Sequence, residues 1–477
     1  MLIHDAARDA YAASRRPPAA SLDAVMTALA ERFGTRFSRN RSILDQHGHT
    51  RTQIRLEAPD GVVFPETTAE VAEVVKLCAT HRVPMIPYGT GTSLEGHVNA
   101  PYGGISIDTS KMNRILAVHA EDLDCVVEPG VTRKALNLHL RDHGLFFPID
   151  PGADASLGGM VATRASGTSA VRYGTMKDNV LALEIVTPQG EIMQTSRRAR
   201  KSSAGYDLTR LMVGSEGTLG VVSGITLKLS GIPEATAAGV CPFPTVQAAC
   251  DATILTIQSG IPVARIELLD EAQVRASNAY SHLGLREVPT LFVEFTGTPA
   301  GVAEQVEAFG AIAEELGGGP FDWATQPEDR SRLWQARHDA YWASFTLRPG
   351  AKIISTDLCV PISRLADCVA ATQADIAESG LVAPIVGHVG DGNFHLGLLF
   401  DDTDPDEMAR VDAFLDRLVH RALDMEGTCT GEHGVGQGKA AYLRHEHPPA
   451  ALAMMRAVKQ AIDPLDIMNP GKILPLE

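Results

Sequence analysis

The chain has 477 residues, 44% of them hydrophobic and 21% charged, which is the composition of a soluble globular protein with two or three domains. Its formal net charge of −16, with no basic stripe, excludes a nucleic-acid partner and disfavours tight binding to anionic lipid. Seven cysteines without a Cys-x-x-Cys pair, no apolar N-terminal region and no run approaching about 18 apolar residues predict a cytoplasmic protein, with peripheral membrane association left open.

The first half of the chain predicts a mixed domain that begins with a helix over 65–84. Val71, Val74 and Val75 recur at helical spacing there, and Thr67 or Thr68 can cap the first turn. A short strand then leads into a glycine-rich loop. The elements expected in this half are strands at 85–87, 105–108, 115–119, 125–128, 180–186 and 221–229, and a second helix over 132–143.

The second half begins at a change of composition in Gly231-Ile-Pro233, which predicts a domain boundary. Beyond it we expect strands at 264–268, 290–295 and 353–360, and helices over 302–316 and after Pro327. This order favours an α+β domain with an antiparallel sheet. The turn-rich segment 466–472 is expected to pack back on the first domain.

Three loops rich in glycine, serine and threonine lie in the first half, at 89–96, 151–174 and 214–220. None of them has the Rossmann fingerprint, and Gly438-Lys439 does not form a Walker A loop. A single loop of this kind is usually an ordinary turn. Three in one domain can direct backbone N–H groups and hydroxyls at a pyrophosphate, so we predict a dinucleotide site.

A metal site is predicted where two histidines lie seven residues apart. His388 and His395 would face opposite sides of a regular strand, but Asp391-Gly392 is a favoured two-residue hairpin turn that would set the histidines directly opposite each other. Their Cβ atoms would then lie about 5 Å apart. Two imidazoles suit zinc, manganese, iron or cobalt, with Glu432 as the candidate third ligand. Structural or solvated polar residues are the alternative.

Two cations are candidates for binding a substrate carboxylate. Arg337 lies on the helix expected after Pro327, and Lys352 opens the strand at 353–360. An arginine can bind a carboxylate through two hydrogen bonds, and a lysine acts as a point charge. Either one alone could equally be a solvated surface charge.

Four segments together resemble a known family, namely PYGTGTSLEG (87–96), the run from Asp150 to Val186, SAGYDLTRLMVGSEGTLGVVSGITLKL (203–229) and NPGKIL (469–474). They are similar to FAD-linked oxidases of the vanillyl-alcohol oxidase/p-cresol methylhydroxylase superfamily, from about residue 50 onward. Within it they resemble the acceptor-dependent D-lactate dehydrogenase branch, with glycolate oxidase subunits and D-2-hydroxyglutarate dehydrogenases close by. Many relatives have Asn-Ala-Gly-Gly where this chain has Arg164-Ala-Ser-Gly167, but the Ala-Ser-Gly-Thr form is typical of the D-lactate branch.

The resemblance implies an α+β fold with a two-part FAD-binding domain of the p-cresol methylhydroxylase type and an antiparallel-sheet substrate domain. Its expected divisions are a helical extension (1–55), the FAD domain (56–233), the substrate domain with the metal site (234–460) and a C-terminal segment on the FAD domain (461–477). FAD is expected to be non-covalent, because 88–93 lack the histidine that tethers flavin in some relatives. The implied FAD-binding residues are Pro87, Gly89, Thr90, Gly91, Thr92, Ser93, Pro151, Asp154, Ser156, Gly158, Gly159, Ser166, Gly167, Tyr173, Gly174, Glu216, Gly217, Gly220, Val222 and Asn469.

The resemblance also assigns roles at the reacting end. His388, His395 and Glu432 fall on metal-ligand positions, with zinc or manganese expected first. His433 falls on the catalytic base, which also contacts substrate. Arg337 and Lys352 fall on the carboxylate clamp. Tyr341 stands where hydroxyglutarate-type enzymes tend to have threonine, which favours a shorter substrate.

The implied activity is FAD-dependent oxidation of a small D-2-hydroxy acid, D-lactate first, to the 2-oxo acid. His433 would take the hydroxyl proton beside the metal, and hydride would pass to flavin N5. D-2-hydroxyglutarate and glycolate are alternative substrates. The electron acceptor is left open between cytochrome, quinone, electron-transfer flavoprotein and oxygen, and a homodimer is also left open. Two other classes are a flavin-free metallohydrolase and a non-catalytic FAD-binding subunit.

Overall fold

A computed structural model describes residues 6–49, 54–324 and 326–475 as an α+β protein, which confirms the predicted fold class. The chain forms two compact units. The first consists of Met1–Ser166, Thr175–Ile232 and Glu432–Glu477, and the second of Gly167–Gly174 and Pro233–Gly431. The division at 232/233 lies within Gly231-Ile-Pro233. The segment 432–460 groups with the first unit.

The first unit contains a partly parallel sheet and an antiparallel sheet. The strands of the four-stranded sheet are, in spatial order, Phe37–Ser38, Gly61–Val63, Ile105–Asp108 and Met85–Tyr88. The strands of the five-stranded antiparallel sheet are Ile115–His119, Asp124–Val127, Val221–Lys228, Val180–Val186 and Ile192–Gln194. A further pair joins Leu145–Phe146 to Ser230–Gly231. The predicted strands in this half therefore agree with the structure to within one or two residues.

The helices of the first unit begin at local capping signals in several cases. Thr67 caps the helix Thr68–His81 by accepting a hydrogen bond from Glu70 N at 3.2 Å, and the valines predicted to face the core are buried. The predicted 132–143 helix is Arg133–Leu140 followed by a 3₁₀ turn, Arg141–His143. The other α-helices are Ala6–Arg15, Ala19–Phe33, Arg41–His47, Leu157–Thr163, Met176–Asn179, Leu208–Met212, Leu443–Glu446 and Pro449–Ile462.

The second unit is built on an eight-stranded antiparallel sheet, as the sequence predicted. Its path runs through Asp322–Ala324, Ala235–Pro242, Thr290–Gly297, Val263–Leu269, Ile385–His388, Asn393–Phe400 and Lys352–Ser355, and Leu358–Cys359 also pairs with Asn393–Phe400. The helices are Ala170–Tyr173, Val246–Gln258, Glu271–Ser281, Pro299–Glu315, Pro327–His338, Ala340–Ser344, Leu365–Ser379 and Pro405–Asp424. The apolar residues of the central strands, such as Phe292 and Leu269, form its core.

The single strand predicted at 353–360 is wrong, because the structure breaks it at Thr356 and Asp357. Both side chains turn to local partners. Thr356 Oγ1 accepts a hydrogen bond from Leu396 N at 3.0 Å, and Asp357 Oδ1 accepts one from Asn393 Nδ2 at 2.7 Å. Polar side chains of this kind compete with the ladder, and the sequence pattern of alternation does not reveal that competition.

The C-terminal tail adds to the four-stranded sheet of the first unit. Met468 bridges Met85, and Asn469 N donates to Met85 O at 2.7 Å. Among the helices of the described residues, none has both the length and the apolar run that crossing a membrane requires.

Candidate active site

The first two glycine-rich loops lie against each other in the first unit. Ser156 N donates to Thr90 Oγ1 at 3.4 Å, and a Cβ added at Gly89 would clash with Ser156 Oγ. The position therefore favours glycine, because the Ser156 hydroxyl approaches its backbone closely. Ser156 Oγ also caps the helix Leu157–Thr163 through Gly159 N at 3.4 Å. The remaining predicted residues of these loops, Gly91, Thr92, Pro151 and Gly158, are partly or fully accessible.

The third loop joins the other two. Glu216 N donates to Ala162 O at 2.9 Å, on the helix Leu157–Thr163 within the second glycine-rich stretch. A Cβ added at Gly217 would lie 2.9 Å from Pro87 Cγ, at the start of the first loop. Gly220 and Val222 continue from this loop into the strand Val221–Lys228. The structure thus brings the first loop, residues 156–162 of the second and the third loop together within one unit.

Five of the residues predicted to bind FAD belong to the second unit or contact a different part of the first unit, or lie at the boundary of the two. Asp154 is exposed and accepts from Lys134 N at 3.1 Å, so its carboxylate contacts the start of a helix. Gly167, Tyr173 and Gly174 belong to a short stretch of the second unit, and Ser166 ends a segment of the first.

Glu216 holds the chain just after the predicted base. Its two carboxylate oxygens accept hydrogen bonds from Val435 N at 2.6 Å and Gly436 N at 2.8 Å, and His97 Nε2 lies 3.3 Å away. Burial is the largest influence and acts to raise the pKa of Glu216, but His97 and the two backbone donors together lower it. The carboxylate is therefore ionised and fixes the segment that carries His433.

Two buried polar atoms of the first unit test whether the cradle fits FAD. Asn469 Nδ2 donates to Glu216 O at 2.7 Å and His97 O at 3.0 Å, while its Oδ1 has no partner among the described residues. Ser93 Oγ is likewise buried without a described partner. Leaving such an atom unsatisfied costs about 1–3 kcal/mol. Hydroxyl and amide groups beside glycine-rich backbone fit the sugar and pyrophosphate parts of a dinucleotide.

The second unit brings the two predicted metal-binding histidines together. The rings of His388 and His395 are both buried and have centroids 5.2 Å apart at 80°. Glu432, the residue bonded to Gly431 at the end of this unit, is half-buried. One ligand atom from each of the three residues lies within 4.8 Å of the others. Two imidazoles and one carboxylate form a set used by catalytic zinc sites.

The hairpin register predicted for these histidines is wrong by two residues. His388 pairs with Asn393 and His395 pairs with Val386, so the histidines are diagonal neighbours rather than opposite each other. The connection is a 3₁₀ turn, Val389–Asp391, closed by Gly392 at φ +76°. Glycine adopts this left-handed conformation without strain. A shift of two keeps both side chains on one face, which is why the rings still meet.

Each histidine has a hydrogen-bond partner on Nδ1. His388 Nδ1 lies 2.8 Å from Glu267 Oε1, and His395 Nδ1 lies 2.9 Å from Thr356 O. An acceptor on Nδ1 places the proton there, so each ring is the Nδ1-protonated tautomer, whose Nε2 is the nitrogen that can coordinate a metal. Sequence reasoning missed Glu267 and Thr356. The one available indication was an acidic residue inside the apolar run at 266–269.

The two cations predicted to bind the substrate carboxylate have different environments. Arg337 is 7% exposed, hydrogen-bonds Glu267 Oε2 through Nη2, and has no described partner at Nε. An anion would satisfy that donor. Lys352 is exposed, and its ammonium pairs with Asp402 at 4.0 Å. Arg337 therefore keeps a buried donor without a described partner, whereas Lys352 has a surface partner.

The other two predicted substrate residues are half-buried. Tyr341 contacts Trp342 and Phe345 edge-on, with centroids 5.1 and 5.7 Å away. His433 lies directly after Glu432 and two residues before the backbone held by Glu216. The predicted base and the predicted metal ligand are therefore consecutive in an irregular segment.

Comparisons with known proteins cover nearly all of the chain. Residues 59–196 match a family described as FAD binding domain, and residues 232–473 match FAD linked oxidases, C-terminal domain. The chain is 52% identical over 438 residues to "Probable D-lactate dehydrogenase, mitochondrial" of Danio rerio, covering 91% of this chain and 88% of that protein. It is 49% identical over 417 residues to the mitochondrial D-lactate dehydrogenase (cytochrome) of Arabidopsis thaliana, covering 87% and 74%. The structure of p-cresol methylhydroxylase with substrate bound has the same fold, with a TM-score of 0.80 at 17% identity over 96% and 97% of the two chains.

Proposed function

The chain belongs to the FAD-linked oxidases, and from that premise we propose that it oxidises D-lactate to pyruvate with FAD. One observation supports this proposal more than any other. The two-histidine and glutamate group adjoins His433, the predicted base, in a segment that Glu216 of the third glycine-rich loop holds in place. The relatives named as D-lactate dehydrogenases supply the substrate class.

FAD would bind non-covalently to the three glycine-rich loops of the first unit. The unpartnered Ser93 Oγ and Asn469 Oδ1 support this binding, as does the close approach of Gly89 to Ser156. When bound, FAD supplies the two-electron acceptor for the hydrogen on C2 of the substrate. The chain supplies position and charge.

A divalent metal, zinc or manganese first, would bind His388, His395 and Glu432. The Nδ1 contacts with Glu267 and Thr356 support the Nε2 coordination that such a site needs. A bound cation would stabilise an ionising hydroxyl on the substrate.

The substrate would be held by its carboxylate and deprotonated at its hydroxyl. The buried Arg337 offers an unpaired Nε to the carboxylate, and we keep Lys352 as a second cation to be tested by mutation. His433 would accept the hydroxyl proton, since imidazole titrates near neutral pH. Tyr341 would close the far side of a pocket for a short side chain.

Two further proposals concern the electron acceptor that reoxidises FAD and the cellular location of the protein. We propose a cytochrome as acceptor, in line with the name of the Arabidopsis relative. D-lactate-dependent reduction of cytochrome c should exceed that of a quinone analogue, an electron-transfer flavoprotein or oxygen. The two relatives are named mitochondrial, whereas composition favours the cytoplasm for this chain, and fractionation of cells that express the tagged protein would decide between them.

The decisive test is anaerobic mixing of the purified holoprotein with hydroxy acids. We expect a flavin spectrum that D-lactate bleaches, with one pyruvate formed per flavin, and slower bleaching by L-lactate, glycolate and D-2-hydroxyglutarate. His433→Ala should retain FAD and lose bleaching, because the hydroxyl proton then has no acceptor.

Three other outcomes would redirect the proposal. Faster bleaching by another hydroxy acid changes the substrate within the class. A yellow protein that no hydroxy acid reduces would be a non-catalytic FAD subunit. A protein that neither contains nor takes up FAD, yet hydrolyses esters or amides with metal, would be a metallohydrolase.

A further inference from the structure

We propose that Glu267 is a positioning residue that holds both the metal ligand His388 and the carboxylate-binding Arg337, so that metal and hydroxy acid bind cooperatively through one buried carboxylate. The hydroxy-acid half of this inference rests on the proposed function. The metal half rests only on the metal site proposed there and needs no hydroxy acid.

The sheet of the second unit brings Glu267 to His388. The strand Val263–Leu269 pairs with Ile385–His388, and the last ladder pair is Leu268 with Gly387. One further step of this antiparallel register sets Glu267 opposite His388. The Glu267 side chain is fully buried, and its Oε1 lies 2.8 Å from His388 Nδ1.

Glu267 uses its second oxygen on a different element. Oε2 accepts a hydrogen bond from Arg337 Nη2, in the last turn of the helix Pro327–His338. Arg337 is itself buried, so the pair is a charged contact away from water. Each carboxylate oxygen therefore has one strong donor, and a single side chain determines where both donors lie.

The contact with His388 determines how that ring can bind a metal. A carboxylate on Nδ1 keeps the proton there, so Nε2 is the unprotonated nitrogen of the ring. Without it, either nitrogen can carry the proton and the ring can rotate. Removal of such outer partners typically weakens metal affinity 10- to 100-fold.

The contact with Arg337 links this effect to the substrate. A cation on His388 Nε2 makes the Nδ1 proton a stronger donor, which draws the Glu267 charge toward the histidine and away from Arg337. Arg337 then binds an incoming carboxylate more strongly. By thermodynamic reciprocity, a carboxylate on Arg337 strengthens metal binding by the same factor.

The simpler alternative is that Glu267 only neutralises the buried charge of Arg337. The two explanations differ for a variant in which neither charge is present. If neutralisation is the only role, Glu267→Gln combined with Arg337→Met restores metal binding. If Glu267 positions His388, the double variant still binds metal poorly, because the neutral amide introduced by the first substitution accepts the Nδ1 proton more weakly than a carboxylate does.

The test begins with metal titration of metal-free protein, using Co²⁺ and its visible spectrum, and requires no hydroxy acid. We expect Glu267→Gln and the double variant to bind Co²⁺ about 10- to 100-fold more weakly. Arg337→Met should stay close to wild type. Glu294→Gln is the matched control, because Glu294 is a sheet carboxylate of the same unit that pairs with an arginine, Arg265, at 3.7 Å. It should bind Co²⁺ normally.

The second measurement is the inhibition constant of propionate, a carboxylate without a hydroxyl group, with and without metal. Metal should tighten propionate binding in the wild type, and this effect should disappear in Glu267→Gln. Thermal melting identifies variants that fail to fold. If Glu267→Gln fails because it leaves the charge of Arg337 buried and unpaired, the double variant, which lacks that charge, is used for the test instead.

Each outcome has a definite meaning. Normal Co²⁺ affinity in the double variant, or a wild-type protein that binds no Co²⁺, overturns the metal half. Propionate binding that metal does not affect in the wild type overturns the coupling. If D-lactate fails to reduce the flavin while Glu267→Gln still loses Co²⁺, the proposed substrate is wrong and the positioning role stands.

Discussion

Replacing Gly89 by alanine tests the FAD cradle at its tightest point. The new Cβ would clash with Ser156 Oγ, whereas Ser156 Cβ would lie 3.5 Å away, an ordinary contact. The hydroxyl must therefore rotate and give up its cap on Gly159 N. Loss of an N-cap costs about 1 kcal/mol, with a range of about 0.5–2. We expect FAD affinity to fall about 5- to 30-fold, the factor that 1–2 kcal/mol corresponds to.

The assay is titration of apoprotein with FAD, followed by the change in flavin fluorescence, in a double-mutant cycle. Ser156→Ala removes the clashing oxygen, so Gly89→Ala should add no further loss in that background. Gly152→Ala is the control, because Gly152 lies in the same loop as Ser156 and its new Cβ would meet open space. This variant should bind FAD normally. Losses that simply add in the double variant would refute the explanation by this clash, and wild-type affinity in Gly89→Ala would refute the loop contact itself.

Three further predictions concern pH, positioning and metal. Burial, opposed by backbone donors at Gln273 and Ile385, raises the pKa of Asp270 to about 7 from 3.8. The contribution of Asp270 to the free energy of unfolding is therefore fully present below its pKa in the unfolded state, 3.8. It is lost as the pH rises through its pKa in the folded state, about 7, and the loss is about 4 kcal/mol at about 1.4 kcal/mol per pKa unit. Asp270→Asn should raise the melting temperature far more at alkaline than at acidic pH, and an equal gain at both would contradict the shift. Glu216→Gln offers one oxygen to two backbone donors, so in protein saturated with FAD stopped-flow reduction of the flavin should slow about 10- to 100-fold, because small misplacements of a base such as His433 cost that much. An undiminished rate removes this contact from the mechanism. Chelation should abolish reduction by D-lactate while leaving the flavin spectrum intact, and zinc or manganese should restore it; full-rate turnover in verified metal-free protein excludes a role for the metal.

Local signals allowed much of the fold to be predicted from the sequence. Thr67 and the valines of 68–81 specify a capped amphipathic helix without help from the rest of the chain. The alternation at 221–229 and the apolar run at 180–186 likewise fixed two strands. The glycine-rich loops were visible because each is a continuous stretch. Such features depend on neighbours within a few residues, which a sequence displays directly.

The parts that failed depend on the geometry of turns and on distant partners. The His388 hairpin was predicted with a two-residue turn, because Asp-Gly is the preferred sequence for one, but a 3₁₀ turn ending at Gly392 occurs instead. Glu267 and Glu216 act on residues 121 and 219 positions away. No rule of sequence spacing predicts these two contacts. The Glu267 contact forms because two strands pair in the folded sheet, and the Glu216 contact forms because the segment after Glu432 returns to the first unit.

The return of the chain to the first unit at Glu432 has a consequence for the order of synthesis. The second unit lies almost entirely within 233–431, whereas the first gains Met468 and Asn469 only from its last segment. Domains tend to fold as their residues leave the ribosome. His388 and His395 can therefore pack while translation continues, but the dinucleotide cradle must wait for Met468 and Asn469. FAD can thus bind a new chain only after Met468 and Asn469 have been synthesised. The antiparallel sheet that carries His388 and His395 forms before that point.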